Sequence, residues 1–246
     1  MDEVKVRNFD DGVTLISINR PQRKNAICAD TALQLQQAFA AFDASDQRVA
    51  VITGEGNDAF STGADVAKLP ELWRCIPTVG ITTEKPVIAA VGGWCVGGAL
   101  VLAMMCDLLV AAENARFSYP EAKLGFTGGL IAGLAGRIPH KVAMEMILLC
   151  RILDAQRAYS VGLANEVVPT GKQVEVALTM GREIATFSPL VLRTLKRFVV
   201  NDVLPQGPAE GMARTQHALG IVRESEDGRE GRQAFLEKRA PVYKGR

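Results

Sequence analysis

Hydrophobic and polar residues alternate at the start of the chain. Residues 4–7 alternate apolar and charged side chains, and residues 13–18 alternate again. Asp10, Asp11 and Gly12 lie between the two stretches and favour a turn. Because successive side chains of a strand point to opposite faces, this pattern predicts a hairpin of two half-buried strands.

The pattern changes further along the chain. Continuous apolar runs, typical of strands buried on both faces, occur at 49–54, 87–91 and 107–111, and a shorter strand end is predicted at 166–168. Helices are predicted in five places: after a cap at Asp30, from a cap at Asp154 to Val161, from Val174 to Phe187, from Ser188-Pro189 towards Val200, and over Glu210–Arg239 around a turn at Glu226-Asp227-Gly228. Strands that alternate with helices predict an α/β domain with a helical C-terminal part.

Residues 87–106 contain no charged side chain over 20 positions, which is the length of a transmembrane helix. A membrane protein is therefore one hypothesis. The pairs Gly92-Gly93 and Gly97-Gly98, with Trp94 between them, interrupt the run. A buried strand, a glycine turn and the start of a buried helix explain this arrangement better than a single helix in lipid.

Composition and charge narrow the class of protein. Of the 246 residues 48% are hydrophobic, which excludes a disordered chain. A net charge of +1 gives no support for a nucleic-acid or anionic-membrane partner. The five cysteines form no C-x-x-C pair, and the two histidines, His140 and His217, lie at no metal-site spacing and are expected to be structural. We therefore expect no disulfide framework, no metal and, without a targeting signal at the N-terminus, a cytoplasmic location.

Glycine-bearing turns follow or lie near the predicted strands at residues 59–65, 92–99 and 125–129. Glycine lets the backbone approach a ligand closely, and a helix N-terminus offers free N–H groups, so these turns are candidates for an oxyanion site. Close packing alone is the alternative explanation. No P-loop and no G-x-G-x-x-G string occurs, which argues against a nucleotide-binding motif of those kinds.

Several short strings occur in order along the whole chain. They are Asn19-Arg20-Pro21 with Asn25-Ala26, residues 59–65, Val96-Gly97-Gly98-Ala99 with residues 102–107, Phe117-Ser118-Tyr119-Pro120-Glu121 with Leu124-Gly125, and Ser225-Glu226-Asp227, Glu230-Gly231, Ala234-Phe235 and Glu237-Lys238-Arg239. In this order and spacing they resemble the crotonase superfamily, the enoyl-CoA hydratase/isomerase family.

The resemblance implies an α/β fold, a spiral of repeated ββα units. The spiral with its CoA-thioester site would cover residues 1–188, and a helical region that trimerises would cover residues 189–246. The implied partner is an acyl-CoA thioester, with coenzyme A as part of the substrate and no separate cofactor. A homotrimer or a dimer of trimers is expected.

In the family two backbone N–H groups hold the thioester oxygen as it becomes an enolate. The resemblance assigns them to Ala64 and Gly98. Gly98→Pro or Gly98→Val is then expected to abolish turnover in a folded protein. Hydratases of the family carry two glutamates, of which this chain has Glu121, whereas Val101 occupies the other position.

A single glutamate is similar to the enoyl-CoA isomerases, in which one carboxylate moves a proton from the α- to the γ-carbon. Isomerisation is therefore favoured over hydration, dehydration and C–C lyase chemistry. A pseudoenzyme that binds CoA esters without turnover is the alternative of another class. A capping box, in which Ser118 caps a helix and Glu121 reaches back, is the structural alternative for this glutamate.

Further binding residues are implied by the same resemblance. Arg23, Lys24, Lys68 and Lys238 are expected near the CoA moiety, and Ala26, Gly63, Gly97 and Tyr119 near the substrate. Asp65 is expected to fix its loop. The residues expected to line the acyl pocket are Val66, Leu69, Leu72 and Trp73, beside Val101.

Overall fold

A computed structural model describes residues 2–246 of the chain. The strands are β1 (Val4–Asn8), β2 (Val13–Ile18), β3 (Val49–Gly54), β4 (Ala59–Ser61), β5 (Val87–Val91), β6 (Trp94–Val96), β7 (Leu108–Ala112), β8 (Arg116–Ser118), β9 (Leu153–Asp154) and β10 (Glu166–Val168). The helices are α1 (Ala29–Ala44), α2 (Gly98–Met104), α3 (Glu121–Leu124), α4 (His140–Leu149), α5 (Ala155–Ser160), α6 (Gln173–Ala185), α7 (Pro189–Phe198), α8 (Pro208–Glu224) and α9 (Glu226–Glu237). Short 3₁₀ helices span Leu72–Cys75 and Leu130–Gly136.

The larger sheet has the order β1-β2-β3-β5-β7-β10. The β1–β2 pair is the predicted antiparallel hairpin, and the remaining neighbours are parallel. Alternate residues of β3 enter two different cores. Val49 and Val51 pack on the side of α6, whereas Ala50 and Ile52 pack on the side of α1 and α2. Burial on both faces explains why the sequences of these strands are continuous apolar runs.

A smaller sheet has the order β4-β6-β8-β9. Its first three strands are parallel, and β9 pairs antiparallel with β8. The hydrophobic pattern did not reveal this sheet, because strands of two or three residues are too short to show a period. Each of the first three strands leads directly into one of the segments that build the site described below.

Two local predictions were wrong. Cys28, rather than Asp30, is the N-cap of α1, and Asp30 lies in the first turn, where its charge still favours the helix N-terminus. The predicted turn at residues 226–228 is the first turn of α9, because the side chain of Ser225 accepts a 2.8 Å hydrogen bond from Gly228 N–H. Gly228 serves close packing there, since a Cβ would lie 2.5 Å from the carbonyl oxygen of Val222.

Other caps agree with the sequence. Asp154 caps α5 by accepting a 2.8 Å hydrogen bond from Arg157 N–H. Pro189 is the first residue of α7, as predicted, although Ser188 makes no side-chain capping bond. The division of the chain at residue 188 stays a prediction.

The uncharged run forms β5, a turn, β6 and α2 in succession. Gly93 and Gly97 have φ values of +64° and +58°, which favour glycine and break the run into separate elements. Within residues 2–246 there is no helix with the length and apolarity needed to cross a membrane. The segment therefore forms the strand, glycine turn and helix start that the sequence favoured.

Candidate active site

A cavity of about 540 Å³ opens beside the smaller sheet. Its walls come from four parts of the chain: the segment after β4, the start of α2, the segment from Tyr119 to Leu130, and α8. Most of the lining is apolar, and two charged side chains, Glu71 and Glu121, contribute to it. An apolar cavity with a few polar groups is the usual form of a small-molecule site.

The turn after β4 leaves one backbone N–H group free. Ile27 N–H donates to Gly63 C=O at 2.8 Å, and Asp65 N–H donates to Ile27 C=O at 2.8 Å. This parallel bridge turns the N–H of Ala64 away from Ile27, and within residues 2–246 that N–H has no hydrogen-bond acceptor. Gly63 makes the turn possible with a φ of +84°.

The N–H of Gly98 also has no acceptor in the described part of the chain, for a different reason. Gly98 is the first residue of α2, and the first hydrogen bond of this helix runs from Val101 N–H to Gly97 C=O at 3.2 Å. The first N–H groups of a helix have no partner within it. A Cβ on Gly63 would lie 3.2 Å from the nitrogen of Gly98, so the two turns almost touch. Both free N–H groups therefore belong to one small region of the cavity wall.

Glu121 stands at the start of α3 and is 8% exposed. Its Oε2 is buried and has no hydrogen-bond partner among residues 2–246. Burial raises the pKa of this carboxyl to about 7. Its Oε1 lies over Gly97, where a Cβ would come within 2.6 Å of that oxygen. The capping-box alternative is not realised, because Ser118 ends β8 and Pro120 is the N-cap of α3, without a side-chain capping bond.

Val101 and Tyr119 lie in the same cavity wall. Val101 is 2% exposed and offers only methyl groups. The phenol of Tyr119 shares a 2.8 Å hydrogen bond with the hydroxyl of Thr127, which also accepts from Gly129 N–H at 3.0 Å. Burial raises the pKa of Tyr119. The tyrosine therefore ties the glycine loop after α3 to the cavity wall.

Asp65 does not line the cavity and fixes the loop beside it. Its carboxylate lies 3.2 Å from Nη1 of Arg20 and accepts a hydrogen bond from Ala67 N–H at 3.2 Å. Burial opposes ionisation of Asp65, but the Arg20 and Ala67 contacts outweigh it and lower the pKa of this carboxyl. Arg20 also lies 3.2 Å from Glu3 and donates to Ala26 C=O. These contacts agree with the expected loop-fixing role of Asp65, which stays a prediction, and Arg20 is the partner that sequence reasoning missed.

The structure brings many of the predicted site residues to the cavity and leaves others outside it. Ala64, Val66, Leu69, Leu72, Trp73, Gly97, Gly98, Val101, Tyr119 and Glu121 line the cavity. Arg23, Lys24, Ala26, Gly63, Lys68 and Lys238 do not. Arg23 lies 4.0 Å from Asp65 on the outer side of that loop, and Lys238 ends α9. The expected contacts of these outer residues with CoA stay predictions.

Helix α8 supplies a wall that the sequence did not reveal. Ala209, Met212, Ala213 and Gln216 face the cavity. These four residues form no recognisable sequence motif. The hydrophobic pattern of α8 does not indicate which face of the helix meets a ligand. His217, on the same helix, has its Nδ1 2.9 Å from Val79 C=O and its ring beside Trp73, which agrees with a structural role. Across residues 2–246 no group of three His, Cys, Asp or Glu side chains is placed to hold a metal ion.

The parallel strands define an α/β protein. Its apolar cavity brings free N–H groups and a buried carboxylate together, which makes it a candidate site for acyl transfer or proton transfer. The family model described as enoyl-CoA hydratase/isomerase matches residues 8–246. The chain is 33% identical over 249 residues to the (E)-benzylidenesuccinyl-CoA hydratase of Thauera aromatica, covering 95% of this chain and 96% of that protein.

Solved structures agree. A carnitinyl-CoA hydratase from Mycobacterium avium is 32% identical with a TM-score of 0.77, and an enoyl-CoA hydratase from Mycobacterium tuberculosis is 32% identical with a TM-score of 0.76; in both, the match covers 100% of each chain. The protein belongs to the enoyl-CoA hydratase/isomerase family and has the crotonase fold. This confirms the family and the fold class predicted from the sequence.

Proposed function

We propose that this enzyme moves a carbon–carbon double bond in an enoyl-CoA thioester between the β,γ and α,β positions, with Glu121 as the single proton carrier. The observation that carries the proposal is one buried, unpartnered carboxylate oxygen in the same cavity as two free N–H groups. The other charged lining residue, Glu71, is paired with Arg74 and half exposed, so it is a poor candidate for a second acid.

In this mechanism the thioester oxygen accepts hydrogen bonds from Ala64 N–H and Gly98 N–H. Glu121 takes a proton from the α-carbon, and the electrons move onto the thioester oxygen to give a dienolate. The protonated Glu121 then returns the proton to the γ-carbon. Fixed N–H donors stabilise such a developing charge by roughly 3–4 kcal/mol each. A pKa of about 7 suits a group that must both accept and release a proton near neutral pH.

Hydration is the second candidate, and the names of the relatives favour it. The Thauera aromatica protein and the two mycobacterial structures are hydratases by name. Adding water requires the nucleophile to be oriented as well as deprotonated. Val101 offers no polar atom for that task, which is why isomerisation is placed first.

The decisive experiment incubates the enzyme with 3-hexenoyl-CoA and with 2-hexenoyl-CoA in heavy-oxygen water, separates the products by liquid chromatography and measures their masses by mass spectrometry. Isomerisation shifts the double bond without a change in mass. Hydration adds one molecule of heavy-oxygen water to the ester, and cleavage yields a shorter ester. Turnover of neither ester, with both still bound, would refute the proposal and favour a CoA-ester-binding protein without catalysis.

The role of Gly98 N–H needs a design that separates steric from electronic effects. A Cβ on Gly98 would collide with the side chain of Leu72, so Gly98→Val or Gly98→Pro alone would disturb packing. In a Leu72→Ala background, Gly98→Ala keeps the N–H, whereas Gly98→Pro removes it. We expect the proline variant to be at least about a hundredfold slower than the alanine variant. Equal rates would exclude this donor.

Exposed apolar side chains on the C-terminal helices support a proposal for the oligomer. Leu190 on α7, Leu219 on α8, and Phe235 and Leu236 on α9 are 64–83% exposed. Large exposed apolar surfaces usually mark association sites. We expect a homotrimer that buries these helices, and analytical ultracentrifugation should give three times, or six times, the mass of one chain. A monomer would refute this.

A further inference from the structure

Trp73 contains a buried hydrogen-bond donor that no other residue in the described range 2–246 uses. The residue is 7% exposed, and within residues 2–246 its indole Nε1–H has no partner. A buried tryptophan N–H normally donates to an acceptor, because an unpaired buried donor costs free energy. We therefore expect the unpaired N–H to donate to an acceptor that comes from outside the chain.

The same cavity contains a second atom in the same condition. Trp73 and Glu121 both line the cavity, and Oε2 of Glu121 is also buried without a partner. Trp73 also lines a second cavity, together with Arg74 and His217. Trp73 is part of the hydrophobic core, and its unpaired donor is assigned to the candidate active site because that cavity also contains the unpaired Glu121 oxygen.

The remaining polar side chains of the cavity divide into two groups. Thr62, Glu71 and Tyr119 each have a hydrogen-bond or ion-pair partner in the protein. Gln216 on α8 is exposed, its side-chain amide has no partner among residues 2–246, and it lines the cavity together with Trp73. Trp73 and Gln216 therefore supply the unused neutral donors of this wall.

The indole ring is held in place from several sides. The guanidinium carbon of Arg74 lies 4.7 Å from the ring centroid, and the ring of His217 is 5.6 Å away. His217 is itself fixed by the 2.9 Å contact with Val79 C=O. A donor on a rigid ring loses little entropy when it binds an acceptor, which suits a specificity contact.

Charge decides which acceptor fits. No Lys, Arg or His side chain lines the cavity within the described residues 2–246, and Arg74 behind the indole is paired with Glu71 and Glu224. A second carboxylate on the acyl chain would enter a cavity that already contains Glu121 and offers no cation among the described residues. A neutral oxygen, in a keto or hydroxyl group, matches the two donors without this cost.

We infer that the preferred substrates are acyl-CoA esters whose acyl chain carries a neutral oxygen acceptor beyond the β-carbon, bound by Trp73 Nε1–H and the Gln216 amide. This inference rests on the proposed function only in placing the thioester at Ala64 and Gly98. It defines the substrate class as oxygenated rather than purely hydrocarbon or dicarboxylic acyl groups.

Equilibrium binding of saturated esters, which cannot be isomerised, tests the inference independently of turnover. Isothermal titration calorimetry compares hexanoyl-CoA with 4-oxohexanoyl-CoA, 5-oxohexanoyl-CoA and adipoyl-CoA. We expect one oxo ester to bind at least about tenfold more tightly than hexanoyl-CoA, and adipoyl-CoA to bind more weakly than that oxo ester. Equal affinities for hexanoyl-CoA and both oxo esters would overturn the inference.

Two variants and one control assign the preference. Trp73→Phe removes the N–H but keeps an aromatic ring, and Gln216→Met removes the amide at similar length. Each should reduce the ratio of the two affinities, the first to below about threefold. Trp94→Phe changes the other tryptophan, which lies on β6 outside the cavity, and should keep the wild-type ratio.

The readout is a ratio, so a general loss of affinity from altered packing cancels. If both Trp73→Phe and Gln216→Met keep the wild-type ratio of the two affinities, the assignment is refuted. If Trp73→Phe does not fold, Gln216→Met alone decides the assignment. Failure of the proposed function is a separate result, seen as no product from 3-hexenoyl-CoA while the binding ratio persists.

Discussion

Replacing Glu121 with glutamine should abolish turnover and at the same time stabilise the protein, but only at neutral and alkaline pH. The carboxyl has a pKa of about 7 in the folded protein, against an ordinary value of 4.5. This difference corresponds to about 3 kcal/mol of unfavourable free energy for burying the charge. Glutamine has the same shape and carries no charge to bury.

The sign of the pH dependence follows from proton binding. Below pH 4.5 Glu121 is protonated in both the folded and the unfolded chain, so it carries no penalty. Between pH 4.5 and about 7 the folded protein keeps a proton that the unfolded chain has released, and stability falls as pH rises. The free energy of unfolding of Glu121→Gln should therefore be close to that of wild type at pH 4.5. At pH 8 it should be higher by up to about 3 kcal/mol.

Urea denaturation at pH 4.5, 6 and 8 measures this difference. Glu71→Gln is the matched control, because Glu71 lines the same cavity but is half exposed and paired with Arg74, and it should give no such gain. In parallel, wild-type kcat/KM should rise through pH 7, reach half its maximum at the pKa of about 7, and level off above it, since the base must be ionised. A stability difference that is independent of pH, or absent at pH 8, would refute the buried-charge reasoning.

Three further changes have defined outcomes. Gly97→Ala would force a Cβ to within 2.6 Å of Glu121 Oε1 at a φ of +58°. Steady-state kinetics should therefore show at least about a tenfold loss of turnover. Gly211→Ala is the control and should show no loss, because a Cβ there meets nothing within 4 Å. Lys85→Met removes an 8% exposed ammonium that donates to carbonyl oxygens at the end of α1 at 3.0 and 2.7 Å, and chemical denaturation should report a loss of about 1.5–3 kcal/mol. Asp65→Asn breaks the ion pair with its arginine partner and should lower the melting temperature at pH 7; this difference should shrink in acid, because a lowered pKa gives stability that is lost as the carboxylate is protonated.

The larger sheet could be predicted because its central strands are long enough, and buried on both faces, to give continuous apolar runs. The hairpin of β1 and β2 followed from alternation. Two capping features were also readable, since Asp154 and Pro189 occupy positions where their chemistry acts locally. Local predictions failed where several residues competed for one role, as at Cys28 and Asp30 at the start of α1.

The candidate site was predictable only in part. The glycine turns and Glu121 belong to recognisable strings, and the structure brings them to one cavity. The α8 wall depends on how a distant helix docks, which no local pattern encodes. The unused donor of Trp73 was equally hidden, because whether an indole N–H finds a partner depends on residues far away in the chain.

The layout of the cavity separates two tasks that a single chain must perform. The free N–H groups of Ala64 and Gly98 follow β4 and β6, which are neighbouring parallel strands, so their spacing derives from the fixed distance of about 4.8 Å between paired strands. The apolar wall of the cavity comes instead from side chains on α8 and the segment that ends at Trp73. On the proposed function, substitutions on that wall should change the accepted acyl group without moving the sheet, so new substrates would be accessible to evolution, or to a designer, at little cost to the chemistry of the thioester.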